Sequence, residues 1–364
     1  MKVAKFGGSS VRDAQAMGRC MSIIENDPSI KLVVVSAIYN STNELEKLAI
    51  AARDRDEAFL KENLKLFLQK HLDIASNLKI EKSLHSAIDQ LINELSEELK
   101  QISQLGLLSP QAMDSLYSYG ERISSWLFAE GFKSRGRKEL QLIDARDVIT
   151  TDNTHNSAKP IIEQIRINAQ EKISPLIKTH LIITQGFIGK TEQGATTVLG
   201  REGSDFSATL FGEAIGADVV QIWTDVPGVA TADPRLVKEA RYLSELSYEE
   251  ATTMASLGAK VLYSKTLEPA ERSGIKVFVG SSIQPELGGT YITSTPSSDS
   301  ADIIGLTFKK RGDESVITFI GKDLRKIDLE IPEVDRGDIH RSFLVDTSQL
   351  DQLLIDWHQR FFQK

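Results

Sequence analysis

Short runs of aliphatic and β-branched residues recur along the chain at 2–6, 31–36, 140–144, 181–184, 219–223 and 277–279, each flanked by glycine or by a helical pattern. The second contains Leu32-Val-Val-Val, which is continuously apolar instead of alternating, as expected of a strand covered on both faces. The pattern predicts an α/β fold with a mostly parallel sheet between helices. Between the second and third runs no proline occurs from 29 to 109. There Ile88, Leu91, Ile92, Leu95, Leu99 and Ile102 fall three and four apart, on one face of a helix, and Leu60, Leu64, Phe67 and Leu68 do the same one helix earlier. A helical insertion is therefore expected over about 45–135.

After Gly288-Gly289 the sequence turns to Ser, Thr and Pro, which predicts a linker over 294–301. Beyond it, runs at 303–308, 316–320 and 342–345 and a helical end at 349–362 predict a small α+β unit over 302–364. A length of 364 residues suits this division better than one large core.

Charge narrows the function classes. The net charge is −8 and no basic run occurs, so a nucleic-acid partner is not expected. Cys20 is the only cysteine, which excludes an intrachain disulfide and a cysteine zinc cluster, and the six histidines show no ligand spacing, so no protein-held metal is expected. The first residues lack a secretory pattern and no apolar stretch approaches a membrane span. A cytoplasmic protein without membrane contact is the expectation.

Three clusters carry candidate chemistry. In Lys5-Phe-Gly-Gly-Ser-Ser a strand runs into Gly7, Gly8 and Ser9 ahead of a helical pattern from about Val11. Residues without Cβ let amides approach an anion at a helix start, although the same glycines would equally serve a tight turn. In Leu199-Gly-Arg-Glu-Gly-Ser-Asp, Arg201 could grip a carboxylate or phosphate and Asp205 could orient a lysine, or both could be solvated charges of a first turn. Trp223-Thr-Asp-Val-Pro-Gly-Val follows a strand, where open α/β sheets bind ligands, and reads also as a rigid loop.

Taken with Ser36-Ala and Thr42-Asn, Ser118-Tyr-Gly-Glu, Thr184-Gln-Gly-Phe, Ala232-Asp-Pro-Arg, Gly258-Ala-Lys-Val-Leu and Phe278-Val-Gly-Ser-Ser, these motifs stand in the order of the aspartokinases of the amino-acid-kinase family, which residues 1–293 resemble. The resemblance implies a three-layer αβα catalytic domain over 1–293 that transfers the γ-phosphate of ATP to the β-carboxylate of L-aspartate, with Mg²⁺ held mainly through phosphates. It also implies residue roles. Lys5 and Asp205 would be catalytic, the second ordering the first. Ser36, Thr42, Glu121, Arg201 and Ser204 would form the aspartate site, with Glu121 on the ammonium and Arg201 on the α-carboxylate. Gly7, Gly8, Ser9, Thr224, Asp225, Arg235 and Lys260, together with Lys5, would hold the nucleotide.

Departures from the family pattern are Asn40 and Glu202 at positions where glycine is usual, Ala230 where tyrosine is common, and Tyr263-Ser264 for His-Pro. Ala230 predicts weaker nucleotide binding through lost aromatic surface. The tail resembles one trimmed ACT domain, since Pro332 and the alternation in Ile327-Asp-Leu-Glu-Ile oppose the helix that such a domain would place there. Insensitivity to lysine and a homodimer are the corresponding expectations.

Overall fold

The computed structural model describes residues 1–259, 263–296 and 302–362. Lys260 and the 297–301 part of the predicted linker lie outside the described residues. The chain divides into two compact units, 1–225 and 226–364.

In the amino-terminal unit the elements run β1 (Lys2–Phe6), α1 (Ala14–Asn26), β2 (Ile30–Val35), α2 (Ser41–Arg53), α3 (Glu57–Asn77), α4 (Ser86–Leu105), α5 (Pro110–Ser134), β3 (Leu140–Leu142), β4 (Thr150–Thr151), α6 (Ile162–Lys172), β5 (Leu181–Gln185), β6 (Ile188–Thr191), β7 (Thr196–Val198), α7 (Gly203–Ile215) and β8 (Val219–Thr224). Strands β3, β5, β2, β1 and β8 pair in that order, all parallel. Strand β5 is buried throughout, and β1 and β2 nearly so, which requires cover on both faces and makes the unit three-layered. Helix α7 packs on β1, β2 and β8, and α5 packs on β2, β3 and β5. A small sheet, β4-β6-β7, stands apart, with β6 and β7 antiparallel.

Helices α2 to α5 fill the region predicted as helical and pack on one another. On α4 the buried residues are Ile88, Ile92, Leu95, Leu99 and Ile102, with Leu91 at the margin of that face. On α3 the predicted face is only half-buried at its start and deepens through Phe67, His71 and Ile74. Burial holds the His71 imidazole down to about 3, so it sits neutral in this core, with Nδ1 at 2.7 Å from the Phe67 carbonyl.

The carboxy-terminal unit runs β9 (Glu245–Ser247), α8 (Tyr248–Ser256), α9 (Ser264–Arg272), β10 (Lys276–Ser281), β11 (Gly289–Thr293), β12 (Ile303–Arg311), β13 (Glu314–Gly321), β14 (Glu333–Arg336), β15 (His340–Asp346) and α10 (Leu350–Phe362). Strands β12, β13, β15 and β14 form an antiparallel sheet in that order. Helix α10 covers β12 and β13 through Leu354 and Trp357, and Trp357 stacks on Phe319 at 5.4 Å. No helix forms over 322–332, in keeping with the pattern there. Strand β14 was not legible in sequence: all four residues are exposed, so no apolar alternation marks it. Among the described residues no helix is long and apolar enough to cross a membrane.

Candidate active site

A cleft of about 700 Å³ opens where four parallel strands end. Gly8 and Ser9 follow β1, Ser36 to Asn40 follow β2, Phe187 follows β5 and Asp225 follows β8, and all line it. Parallel α/β sheets bind ligands outside the carboxyl ends of their strands, because the loops that leave those ends are free to vary while the sheet stays rigid.

At one end, Lys5 from β1 forms a salt bridge with Asp205 in the first turn of α7, and both are buried, 7% and 4% exposed. The chain after β1 turns tightly: the Gly7 amide bonds the Trp223 carbonyl at 3.3 Å, and the Ser10 amide bonds that of Gly7 at 2.9 Å. No described residue accepts from the amides of Gly8 and Ser9. A Cβ on Gly8 would stand 2.9 Å from the Ala37 carbonyl oxygen, so only glycine lets the two loops approach this closely. Helix α1 begins at Ala14, capped by the Asp13 carboxylate, three residues later than the sequence pattern suggests.

Helix α7 enters without a side-chain cap, and no described residue accepts from the Ser204 amide. A Cβ on Gly186 would sit 2.6 Å from that of Ser204, so glycine is what allows this helix start to reach the end of β5. Its N-cap, Glu202, has φ 53°, and the N-cap of α2, Asn40, has φ 67°. Both departures from the family's glycines therefore occupy left-handed backbone, where glycine is the unstrained choice and asparagine the next best.

At the other end, Glu121 on α5 is 3% exposed, and no described residue partners its Oε2. Burial pushes its carboxyl up to about 8, against the opposing pull of the Ala37 amide and the Lys5 charge. Ser124 of α5 donates to the Ser36 carbonyl at 2.7 Å, which ties α5 to the end of β2. Arg201, exposed, and Ser36, Thr42 and Ser204 line the same cleft.

Most residues singled out in sequence thus converge. Lys5, Gly8, Ser9, Ser36, Thr42, Glu121, Arg201, Ser204 and Asp225 line one cavity, and Asp205 reaches it through Lys5. Gly7 and Thr224 adjoin the lining residues Gly8 and Asp225 in the chain without lining the cleft themselves, and the Thr224 hydroxyl donates to the Asp225 carboxylate at 3.1 Å. Arg235 belongs to the carboxy-terminal unit, where it pairs with Asp233 at 2.6 Å. Tyr39, Tyr117 and Asn156 also line the cleft and had no sequence signature, and Phe187, the last residue of the Thr184-Gln-Gly-Phe motif, lines it without having been singled out as a site residue. Behind them lies Asp114, wholly buried on α5 and seven residues before Glu121, a spacing that places both carboxylates on one helix face and was readable in principle. Among the described residues no three His, Cys, Asp or Glu side chains are gathered for a metal ion.

A parallel α/β sheet thus carries a buried lysine on its first strand, with a buried carboxyl and an exposed arginine gathered in one cleft where its strands end. The sequence model of the amino acid kinase family matches residues 1–281, and the chain belongs to that family. It is 41% identical over 290 residues to the lysine-sensitive aspartokinase 3 of Escherichia coli (strain K12), covering 80% of this chain and 63% of that one. It is 37% identical to the aspartokinase of Chlamydia pneumoniae, covering 81% and 63%. Its fold is similar to the crystal structure of E. coli aspartokinase III in complex with aspartate and ADP, with TM-score 0.89, 28% identity and full coverage of both chains. The chain spans about 63% of the length of the curated relatives it matches.

Proposed function

We propose that this protein is an aspartokinase, moving the γ-phosphoryl group of ATP to the β-carboxylate of L-aspartate to give 4-phospho-L-aspartate and ADP. The observation that carries the reading is the buried Lys5 and Asp205 pair sharing one cleft with Glu121 and Arg201. Aspartate and ADP in the complex of the E. coli relative support it.

The acceptor carboxylate has an ordinary pKa of about 3.9, so at neutral pH it attacks as the anion and no general base is needed. One of its oxygens bonds to the γ-phosphorus as the bond to the β,γ-bridging oxygen breaks, and ADP leaves with that electron pair. Two anions must meet, so the work of the site is positioning and charge stabilisation. Lys5, held in place by Asp205, faces the transferring group. The amides of Gly8, Ser9 and Ser204 and the positive end of α7 add fixed dipoles that cost no reorganisation. Glu121 takes the substrate ammonium, Arg201 forks onto the α-carboxylate, and the hydroxyls of Ser36, Thr42 and Ser204 complete the amino-acid end. Gly7, Thr224, Asp225, Arg235 and Lys260 serve the nucleotide.

Mg²⁺ fits this donor set as an ion carried mainly by phosphate and water oxygens, with Asp205 and Asp225 the carboxylates at the phosphate end; when bound it supplies neutralising charge to the phosphates. The catalytic domain is assigned to 1–293, the linker to 294–301, and 302–364 to a trimmed ACT-like unit. The antiparallel sheet under α10 supports that last assignment. A cytoplasmic homodimer without nucleic-acid or membrane partners completes the reading.

ADP release measured against a panel of acidic amino acids and derivatives tests it. L-Aspartate should support turnover well above the other acceptors. Turnover with another acceptor and none with aspartate, or none with any, would overturn it.

A further inference from the structure

Helix α5 carries a second buried carboxyl, Asp114, which differs from Glu121 in being surrounded by donors. Asp114 is 0% exposed and accepts from three donors: His155 Nδ1 at 2.8 Å, the Asn156 amide at 3.1 Å and the Val198 amide at 3.3 Å. Burial pushes the Asp114 carboxyl up, and its bonds with His155, Asn156 and Val198 pull against that shift. All three donors come from segments that lead into the cleft. Asn156 lines it directly, with φ 69°, and Val198 ends β7 three residues before Arg201.

The two segments are also locked to each other. The Ala158 amide bonds the Val198 carbonyl at 2.9 Å, and a Cβ on Gly200, at φ 82°, would stand 3.1 Å from the Asn156 carbonyl oxygen. The loop closes on its own without Asp114, since Asp152 accepts from the Thr154 amide at 3.1 Å and the Lys159 amide at 2.9 Å. Strand β7 is likewise held by its antiparallel partner β6. Asp114 is therefore one link among several in the shape of these pieces, and its three bonds tie both of them to α5, on which β7 also packs.

The geometry points to Asp114 as a positioning residue that moors Arg201 and Asn156 at a fixed distance from Glu121, setting the length of amino acid that both ends can grip at once. This rests on the aspartokinase reading. Glu121 stands two turns further along the same helix, so both grips share one rigid element.

The test is steady-state kinetics of the full chain carrying Asp114→Asn and Asp114→Ala, each also in an Arg201→Ala background. Asp114→Ala should raise the aspartate KM by about tenfold or more with the ATP KM within about twofold, as misplacement of a positioning group predicts. Asp114→Asn, which keeps one acceptor oxygen, should fall between it and the wild type. In the Arg201→Ala background the Asp114 effect should shrink to less than about threefold, because the two residues act as one unit. Should Asp114→Ala not fold, Asp114→Asn decides by the same split. Equal changes in both KM values, no change in either, or an Asp114 effect undiminished without Arg201 would overturn the assignment while leaving the aspartokinase reading intact. A wild-type protein that does not turn over aspartate would overturn both.

Discussion

At the β1 and α7 end of the cleft a buried cation and a buried anion, Lys5 and Asp205, neutralise each other, whereas at the α5 end Glu121 is buried with no described partner for its Oε2. In the first arrangement the two charges answer each other before any ligand arrives, and the nearby amides of Gly8, Ser9 and Ser204 have no described acceptor. The second is completed only by a donor from outside. A buried oxygen without a donor is costly, and burial pushes this carboxyl up to about 8, so on the proposed reading the amino-acid end favours a substrate that brings an ammonium group. On the proposed reading one end is therefore preorganised for chemistry and the other for recognition.

Removing the charge at the first end should have the largest effect. Lys5→Met is expected to lower kcat by about 10³-fold with a much smaller change in aspartate KM, the pattern of an interaction made mainly in the transition state. The unpaired Asp205 left behind would also cost stability, of the order of 3–5 kcal/mol. The double variant Lys5→Met with Asp205→Asn should recover most of the stability and none of the rate, which separates folding from catalysis.

At the second end Arg201→Ala should raise the aspartate KM by about 30-fold and that of ATP by less than about threefold, the loss of one charge-assisted fork. An equal rise in both would dissolve the division between the two ends.

Glu121 gives the comparison a pH signature. With its carboxyl held up to about 8, the free protein carries it mostly protonated at neutral pH, and binding an ammonium favours the ionised form. Aspartate KM should accordingly fall as pH rises from about 7 towards 9, by less than about tenfold per unit, and Glu121→Gln should abolish the slope. Stability runs the other way. The unfolded chain loses this proton at lower pH than the native one, so the contribution of Glu121 is full below its ordinary carboxyl range and is lost as pH rises through about 8. Thermal melts of the wild type should decline over that window more than those of Glu121→Gln.

The smallest effects belong to the two helix starts at the cleft. Asn40 and Glu202 hold left-handed backbone, with φ 67° and 53°. Glu202→Gly should stabilise by up to about 1 kcal/mol, and Asn40→Gly by less, because asparagine tolerates this region and its side chain accepts from Asn43 at 3.0 Å. Urea midpoints measure both.

The parts of this architecture that were readable in the sequence are those written in contiguous stretches. Runs of aliphatic and β-branched residues marked β1, β2, β5 and β8, three-four spacing marked α4, and Lys5, Glu121, Arg201 and Asp205 each sat in a short motif beside glycine or a helix start. The spacing of Asp114 and Glu121 was readable, but the use of Asp114 was not, because it depends on donors 41 to 84 positions away, from a loop without periodicity and the end of a three-residue strand. Strands β4, β6 and β7 are too short to alternate, and β14 has no apolar face. The left-handed backbone at Asn40 and Glu202 was legible only as a departure from glycine, and its φ values explain why glycine is usual there.

On the proposed reading an amino-acid carboxylate becomes a phosphoryl acceptor in this cleft. Incubating the protein with ATP, Mg²⁺, L-aspartate and hydroxylamine, which traps an acyl phosphate, measures that directly. β-Aspartyl hydroxamate should accumulate in step with ADP and should vanish with Lys5→Met. ADP formed without hydroxamate, or no ADP beyond a control lacking aspartate, would contradict it.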